Sequence, residues 1–153
     1  MPSPGYFTDA RTLNENNAMN VNVFLAAAKL GVGRIVWTSS EATGGYPFGP
    51  ASPPRYLPVD EDHYPYPRSA YALSKVVGET MAEHVSSWSG IPIIALRPSN
   101  VFDAGDYPKI PSYWDDPLIR AVNLWDYVDA RDVAQACRRA LLAPVTVLGY
   151  PPS

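Results

Sequence analysis

The sequence predicts an α/β fold, a parallel sheet whose strands alternate with covering helices. Two short apolar runs, residues 34–38 and 91–97, each end in polar residues, which is typical of buried parallel strands. A helical segment, residues 69–88, lies between them. A strand, a helix and a second parallel strand form a right-handed crossover, so the carboxyl ends of both strands meet at one edge of the sheet. In folds of this kind, ligands bind at that edge.

The segments on either side of this helix are assigned from their own patterns. Residues 14–30 carry a helical stripe of apolar side chains, and Gly31 marks the end of that helix. The stripe consists of Met19, Val23, Phe24, Ala27 and Leu30. Residues 41–68 contain many prolines and glycines, which predicts a long irregular loop that leaves from the ligand-binding edge.

The last third of the chain is expected to be less regular. Residues 103–124 are predicted to be irregular, and Asp132 is predicted to cap the final helix. We therefore expect the domain to cover residues 1–142. The Pro-rich tail, residues 143–153, is expected to contribute one short edge strand at 145–148.

Composition and charge argue against several classes of protein. The 153 residues are 46% apolar, which is enough for one core, and no apolar stretch reaches the length of a membrane span. The net charge is −3 and there is no basic cluster, so nucleic-acid binding has no electrostatic support. The single cysteine, Cys137, excludes an internal disulfide and is predicted to be a buried thiol. His63 and His84 lack metal-ligand spacing, so no metal site is expected, and a cytoplasmic location fits best.

Tyr71 and Lys75 are the most informative residues of the chain. They lie four residues apart in the predicted helix, so both project from one face. A phenol has a reference pKa of about 10, and a neighbouring ammonium group lowers that pKa because it favours the phenolate. The pair is therefore suited to exchange a proton with a hydroxyl or carbonyl group. Taken alone, this spacing more often means a half-buried ring beside a solvated charge.

Several further segments accompany this pair in order along the chain. They are residues 16–28 with Gly31-Val32, Ser39-Ser40, residues 58–61, Arg97-Pro98-Ser99-Asn100 and residues 127–134. With these segments the chain resembles the extended short-chain dehydrogenase/reductase family, in its NAD-dependent epimerase/dehydratase group. The resemblance covers nearly all of residues 14–142. It implies the second half of a Rossmann-like domain, a partial parallel sheet with its helices, in which the glycine-rich first βαβ unit is missing.

The resemblance implies a catalytic role for three residues. Ser40 is expected to hydrogen-bond the reacting oxygen, and Tyr71 is expected to act as the acid and base. Lys75 is expected to lower the pKa of the tyrosine and to bind the ribose next to the nicotinamide. The alternative for Ser39 and Ser40 is that they are strand-end residues that satisfy their own backbone.

The resemblance also implies NAD or NADP as the cofactor. The residues expected to bind it are Ser39, Tyr71, Lys75, Pro98 and Ser99. Asn100 is expected to contact the substrate together with Ser40, although a turn residue with a positive φ is the alternative. Asn16 matches an asparagine that organises a water relay to the lysine in the wider superfamily; as a lone residue it is just as well explained as a helix cap.

Three departures from the family pattern bear on the substrate. Nucleotide-sugar epimerases carry an arginine that grips the substrate phosphate, and Trp125 stands at that position. Only 24 residues separate Asn100 from Trp125, where those enzymes have a much longer sugar-binding insertion. Sugar dehydratases have an Asp-Glu pair where this chain has Glu41 and Ala42. We therefore expect a small carbonyl or alcohol substrate; a nucleotide-sugar epimerase or dehydratase and a non-catalytic remnant or interaction module are the alternatives.

The cofactor site is expected to be incomplete in this chain. The sequence contains no G-x-x-G-x-x-G turn, which holds the cofactor pyrophosphate in the family. We expect the 153-residue chain alone to bind NAD weakly and to lack dehydrogenase activity. Its expected partners are a small-molecule substrate and either a second copy of the chain or the missing amino-terminal half.

Overall fold

In the computed structural model, which describes residues 9–144, helices alternate with short parallel strands, and the α/β prediction is confirmed. In chain order the elements are α1 (Ala10–Leu30), β1 (Ile35–Thr38), α2 (Ala70–Ser89), β2 (Ile93–Leu96), β3 (Val101–Phe102), β4 (Val128–Asp129) and α3 (Ala130–Leu142). In this part of the chain, 3-10 helices are formed by Glu41–Gly44, Tyr107–Tyr113 and Pro117–Asn123.

The two predicted strands pair side by side and run in parallel. Ile35 lies opposite Ile93 and Thr38 lies opposite Leu96, so β1 and β2 end at the same edge. A second parallel pair is formed by β3 and β4. The crossover unit expected from the sequence is therefore present, and it sets the residues that follow β1 beside those that follow β2.

The core lies where α1 and α2 pack against the β1–β2 pair. Phe24 is almost completely buried, and its ring meets that of Trp37 edge-on, with the ring centroids 6.1 Å apart. The other residues of this cluster are Ala82, Val85, Ile35, Met81 and Ile93. Gly78 lets α2 approach β1 closely, because a Cβ at this position would lie 2.6 Å from two ring atoms of Trp37.

Helix α3 is anchored to the β1–β2 pair at its carboxyl end. The guanidinium of Arg34, directly before β1, donates hydrogen bonds to the backbone carbonyls of Ala140, Leu141 and Ala143. These carbonyls have no partner within the helix, and a cation near them also opposes the negative end of the helix dipole. One side chain thus holds the final helix against the sheet.

Helix α1 begins earlier than predicted. Its N-cap is Asp9, whose carboxylate accepts hydrogen bonds from the backbone amides of Arg11 and Thr12, so the helix starts at Ala10 rather than at Asn14. Gly31 ends it in the left-handed conformation, with φ 65°, as predicted. The predicted apolar stripe is only partly correct. Phe24 and Ala27 are buried, but Met19, Val23 and Leu30 are exposed because α1 is covered along one line only.

The final helix also begins earlier than predicted. Asp129 is its N-cap and accepts the backbone amide of Arg131, so Asp132 is not the cap and lies in the first turn, where a carboxylate suits the helix dipole. Residues 103–124 are not wholly irregular, since they include two 3-10 helices. The predicted edge strand at 145–148 lies outside the described residues. Within residues 9–144, no helix has both the length and the apolar character needed to cross a membrane.

Candidate active site

The Tyr71–Lys75 pair lies beside the carboxyl end of β1. The Nζ of Lys75 donates a hydrogen bond of 2.7 Å to the backbone carbonyl of Thr38, the last residue of that strand. The same ammonium lies 5.5 Å from the ring centroid of Tyr71 and 5.0 Å from the ring of Trp37. Burial lowers the pKa of Lys75 from its ordinary value. The four-residue spacing therefore brings the two side chains together at the expected edge.

Ser40 sits where the chain turns away from β1. It is the N-cap of the 3-10 helix Glu41–Gly44, and its hydroxyl oxygen accepts a hydrogen bond of 3.2 Å from the backbone amide of Ala42. This 3-10 helix packs against α2, the helix that carries Tyr71 and Lys75. The backbone-capping alternative for Ser40 is thus part of its role, and its hydroxyl has no acceptor among the hydrogen bonds of the described residues.

Ser39 lies deeper and takes part in an ionic network. Ser39 is only 1% exposed, and its hydroxyl donates a hydrogen bond of 2.5 Å to the carboxylate of Glu79. The guanidinium of Arg97 binds both oxygens of the same carboxylate, at 2.8 and 2.7 Å, and also donates to the backbone carbonyl of Glu61. Burial opposes the ionisation of Glu79, but the hydrogen bonds from Arg97 and Ser39 outweigh it and hold the pKa of the carboxyl below its ordinary value. This network ties the ends of β1 and β2 to α2.

Asn16 lies within α1 and is not a helix cap, so that alternative is wrong. Its side-chain amide donates a hydrogen bond of 2.9 Å to the hydroxyl of Ser74, which is fully buried. Ser74 in turn donates to the backbone carbonyl of Tyr71, at 2.7 Å. Asn16 therefore joins α1 to the turn of α2 that carries the tyrosine.

The residues after β2 lie beside those after β1. The backbone carbonyl of Pro98 accepts a hydrogen bond from the amide of Glu41, at 3.2 Å. The hydroxyl of Ser99 is buried and forms no hydrogen bond of normal geometry, although it is near enough to the Glu41 carboxyl to act against the rise of its pKa. Asn100 lies in a bend but has no positive φ, so the expectation of a positive φ in that alternative is wrong, and its backbone carbonyl accepts the amide of Val128. No contact tests the cofactor-binding and substrate-binding roles of these residues, which remain predictions.

A cavity of about 300 Å³ opens at this edge of the sheet. It is lined by residues from four segments that follow or precede the strands, among them Glu41, Glu61, Arg97, Asn123 and Asp126. Burial raises the pKa of Glu41, and the charge of Asp126 adds to the rise, while Ser99 and the charge of Arg120 act against it. A carboxyl held in this way retains its proton to a higher pH than a free side chain.

A second cavity, of about 370 Å³, is aromatic. Trp125 lines it together with Phe102, Tyr113, Trp114 and Tyr127. The guanidinium of Arg120 lies 5.3 Å from the ring centroids of both Phe102 and Tyr113. The position where sugar epimerases have their arginine is therefore part of an aromatic surface, with a different arginine at its border.

His63 lines the first cavity but is bonded locally, and His84 and Cys137 do not line it. His63 is buried; the amide of Arg55 donates to its Nε2, and its Nδ1 lies 3.2 Å from the carbonyl of Tyr64, so it is locally bonded as expected. His84 is exposed on α2. Cys137 is half-buried rather than fully buried, because α3 is covered by the sheet on one side only.

Sequence reasoning missed Glu79, Asn123 and Asp126. A signal for Glu79 was present, since it follows Lys75 by four residues and must share its helix face. Asn123 and Asp126 carry no comparable signal, because they come from an irregular segment whose course the sequence does not specify.

The parallel sheet and the Tyr–Lys pair at its edge define a protein of the short-chain dehydrogenase/reductase type. Residues 5–149 match the model of the NAD dependent epimerase/dehydratase family, and the chain belongs to that family. This is the group that the sequence motifs indicated.

Individual relatives agree with this assignment. A protein of Methanocaldococcus jannaschii, named "Putative UDP-glucose 4-epimerase", is 39% identical over 89 residues, which are 58% of this chain and 27% of that protein. The structure of RMD from Pseudomonas aeruginosa, complexed with NADPH, is 26% identical with a TM-score of 0.70, over 96% of this chain and 54% of that one. A GalE-like L-threonine dehydrogenase from Cupriavidus necator is 25% identical with a TM-score of 0.50, over 60% of this chain and 31% of that one. The chain thus spans about half the length of these proteins, or less.

Proposed function

We propose that the natural polypeptide containing this chain is an NAD(P)-dependent oxidoreductase that acts on a small carbonyl or alcohol. The observation that carries the proposal is the position of the Lys75 ammonium, which bonds the carbonyl at the end of β1 and lies over the ring of Tyr71. A phenol and an ammonium held together at the carboxyl edge of a parallel sheet are suited to move a proton to or from a substrate oxygen.

The residues of this chain fit the nicotinamide end of NAD(P). The buried hydroxyl of Ser99 forms no hydrogen bond of normal geometry, and the Lys75 ammonium keeps further hydrogens to donate at the carboxyl end of β1. The pyrophosphate end has no matching residues here, since the sequence contains no G-x-x-G-x-x-G turn. When bound, NAD(P) supplies the hydride acceptor or donor.

The proposed proton transfer uses Ser40, Tyr71 and Lys75. Ser40 accepts the Ala42 amide with its oxygen, so its own proton is available to a substrate oxygen. The Tyr71 phenolate takes the hydroxyl proton when an alcohol is oxidised and returns it when a carbonyl is reduced. The Lys75 ammonium, 5.5 Å from the Tyr71 ring centroid, places a positive charge near the phenol. Trp125 supports a substrate without phosphate, because an indole offers one donor where the sugar epimerases have a guanidinium.

Turnover of the full natural polypeptide tests the proposal. NADH formation from a panel of small alcohols is measured by absorbance, for the wild type and for Tyr71→Phe. We expect the substitution to lower kcat by about two to four orders of magnitude, because the ring stays packed and only the proton-transfer group is lost. Tyr66→Phe, which makes the same change on an exposed side chain, is the control. A Tyr71→Phe enzyme with wild-type turnover would show that the assigned acid and base is wrong.

A nucleotide-sugar epimerase is the second candidate. It is favoured by the 39% identity to the Methanocaldococcus jannaschii protein, and Trp125 and the short segment after Asn100 weigh against it. The same polypeptide is incubated with UDP-glucose, and the product is analysed for UDP-galactose. Epimerisation that exceeds the turnover of every small alcohol would favour this candidate over our proposal.

A further inference from the structure

The cavity beside Glu41 combines apolar and acidic residues in its wall. Four of its lining residues are acidic, namely Glu41, Asp60, Glu61 and Asp126. Arg97 is the only lysine or arginine among the lining residues, and its guanidinium is already bound to Glu79 and to the carbonyl of Glu61. Acidic residues therefore outnumber lysines and arginines in this wall, which disfavours a phosphate or carboxylate ligand there.

A buried amide in the same wall lacks a partner. Asn123 lines the cavity and is only 3% exposed. Its Nδ2 donates a hydrogen bond of 2.7 Å to the backbone carbonyl of Asp126, whereas its Oδ1 accepts none from the described residues. An unpaired buried acceptor is destabilising, so its retention points to a donor that arrives with a ligand.

The position of Glu41 links this cavity to the candidate chemistry. Glu41 directly follows Ser40, and its backbone amide is bonded to the carbonyl of Pro98. A group held by Glu41 would therefore be bound by the residue that follows the proposed catalytic serine, although Ser40, Tyr71 and Lys75 do not themselves line the cavity. The volume of about 300 Å³ suits a small molecule rather than a nucleotide sugar.

We propose that this cavity is the substrate subsite for a protonated amine, held by Glu41 and Asn123, so that the substrate is a small amino alcohol or its carbonyl counterpart. An ammonium group brings three donors and a positive charge, which match the free acceptor of Asn123 and the surrounding carboxylates. The inference rests on the proposed function, because it specifies the substrate of the same site.

Three probes that differ in one group test this inference. Each has a secondary alcohol at its second carbon, and the first carbon carries an ammonium in 1-amino-2-propanol, a hydroxyl in 1,2-propanediol and a carboxylate in lactate. Their binding to the 153-residue chain is measured by NMR titration without cofactor, so the outcome does not depend on hydride transfer. We expect 1-amino-2-propanol to bind at least about tenfold more tightly than 1,2-propanediol, and lactate to bind least.

Variants assign the preference to the cavity. Glu41→Gln keeps the side-chain shape and should reduce the preference for the ammonium probe by about tenfold. Asp126→Asn, on an exposed side chain, should reduce it in the same direction and keeps the test decisive if the first variant does not fold. Glu83→Gln removes the same charge from an exposed position on α2 and should leave the preference unchanged.

The outcomes separate this inference from the proposed function. Equal binding of the three probes, stronger binding of lactate or no binding of any probe would overturn the ammonium subsite, even if the full polypeptide oxidises alcohols. An ammonium preference that Glu41→Gln and Asp126→Asn do not alter would overturn the assignment to this cavity. An ammonium preference that depends on these residues, in a polypeptide without dehydrogenase activity, would support the subsite and count against the oxidoreductase.

Discussion

Replacing Gly78 by alanine should destabilise the chain, although alanine is the better helix former. Gly78 lies on α2, and a Cβ there would stand 2.6 Å from Cη2 and Cζ2 of Trp37 and 2.8 Å from Nδ2 of Asn20. Ordinary carbon–carbon contacts lie at about 3.5–4.0 Å, so the indole would have to retreat by roughly 1 Å.

Three contacts hold the indole where it is. Its Nε1 donates a hydrogen bond of 3.0 Å to Asn20, its ring meets Phe24 edge-on, and the ammonium of Lys75 lies over its face. Overpacking a core site costs about 1–3 kcal/mol, and loss of the hydrogen bond adds about 0.5–1.5 kcal/mol. The helix propensity of alanine returns only about 1 kcal/mol. We expect a net loss of about 1–3 kcal/mol in the free energy of unfolding, since these terms act together at one site.

Urea denaturation followed by circular dichroism measures this loss. At this chain length it corresponds to a decrease in Tm of roughly 3–10 °C. Gly33→Ala is the matched control, because a Cβ there would contact nothing within 4 Å and no positive φ is required; it should be neutral or slightly stabilising. A Gly78→Ala chain as stable as the wild type would refute the close approach of α2 to Trp37.

Three further predictions follow from the charged groups and the cofactor site. Glu41→Gln should raise the stability of the chain at neutral pH. Burial raises the pKa of Glu41, so the folded state holds the proton more tightly than the unfolded state, and wild-type stability falls as the pH rises through that pKa. Thermal melts of both chains across the acid range measure this difference, and an equal pH dependence of the two chains would contradict the prediction. Glu79→Gln should lower the free energy of unfolding by about 1–3 kcal/mol, since it leaves Arg97 without its carboxylate partner. Because the folded state lowers the pKa of Glu79, this difference should be present above the pKa of an unfolded carboxyl and vanish as the pH falls through the folded pKa. Denaturant titrations at acid and neutral pH measure it. Calorimetric titration of the purified 153-residue chain should detect weak NAD binding or none, since the pyrophosphate has no glycine-rich turn to hold it; micromolar binding by a stable monomer would contradict this expectation.

The elements with strong local signals could be predicted closely. The helix expected at 69–88 spans Ala70–Ser89, because the Ser69 hydroxyl oxygen accepts the amide of Ala72 at its start and Gly90 ends it in the left-handed conformation. The serine and the glycine each lie within one turn of the helix end that they mark, so the local sequence is enough to identify both ends. The strand pairing was also predictable, since two apolar runs around one crossover helix leave few alternatives.

Competing caps explain the errors at the other helices. The sequence predicted the helix start at Asn14 and the cap at Asp132, but Asp9 and Asp129 lie upstream of them and their carboxylates accept backbone amides of the first turn. The sequence between each pair continues the helix without a breaker, so the earlier cap prevails. Only the observed hydrogen bonds separate such candidates.

In the candidate site, too, the sequence predicted some residues and not others. The Tyr71–Lys75 pair could be predicted because its spacing alone places both side chains on one face. The acidic cavity could not, since Glu41 and Asp126 are 85 positions apart and meet only when the loops after β1 and before β4 take their course. The sequence shows only that Glu41 stands where sugar dehydratases have the first residue of their Asp-Glu pair. The burial and the raised pKa of Glu41 arise from the packing of these two loops.

One face of α2 both performs the proposed chemistry and fixes where it occurs. Tyr71, Lys75 and Glu79 follow at intervals of four residues, so they form a row with about 6 Å between neighbours along the helix axis. Lys75 is bound to the last carbonyl of β1, and Glu79 is bound to Ser39 just beyond it and to Arg97 beyond β2. A rotation of α2 by one residue, about 100°, would break both attachments at once. The position of the Tyr71 hydroxyl is therefore set by the ends of the two strands, and a substitution at Glu79 should disturb the chemistry at Tyr71 without touching the substrate.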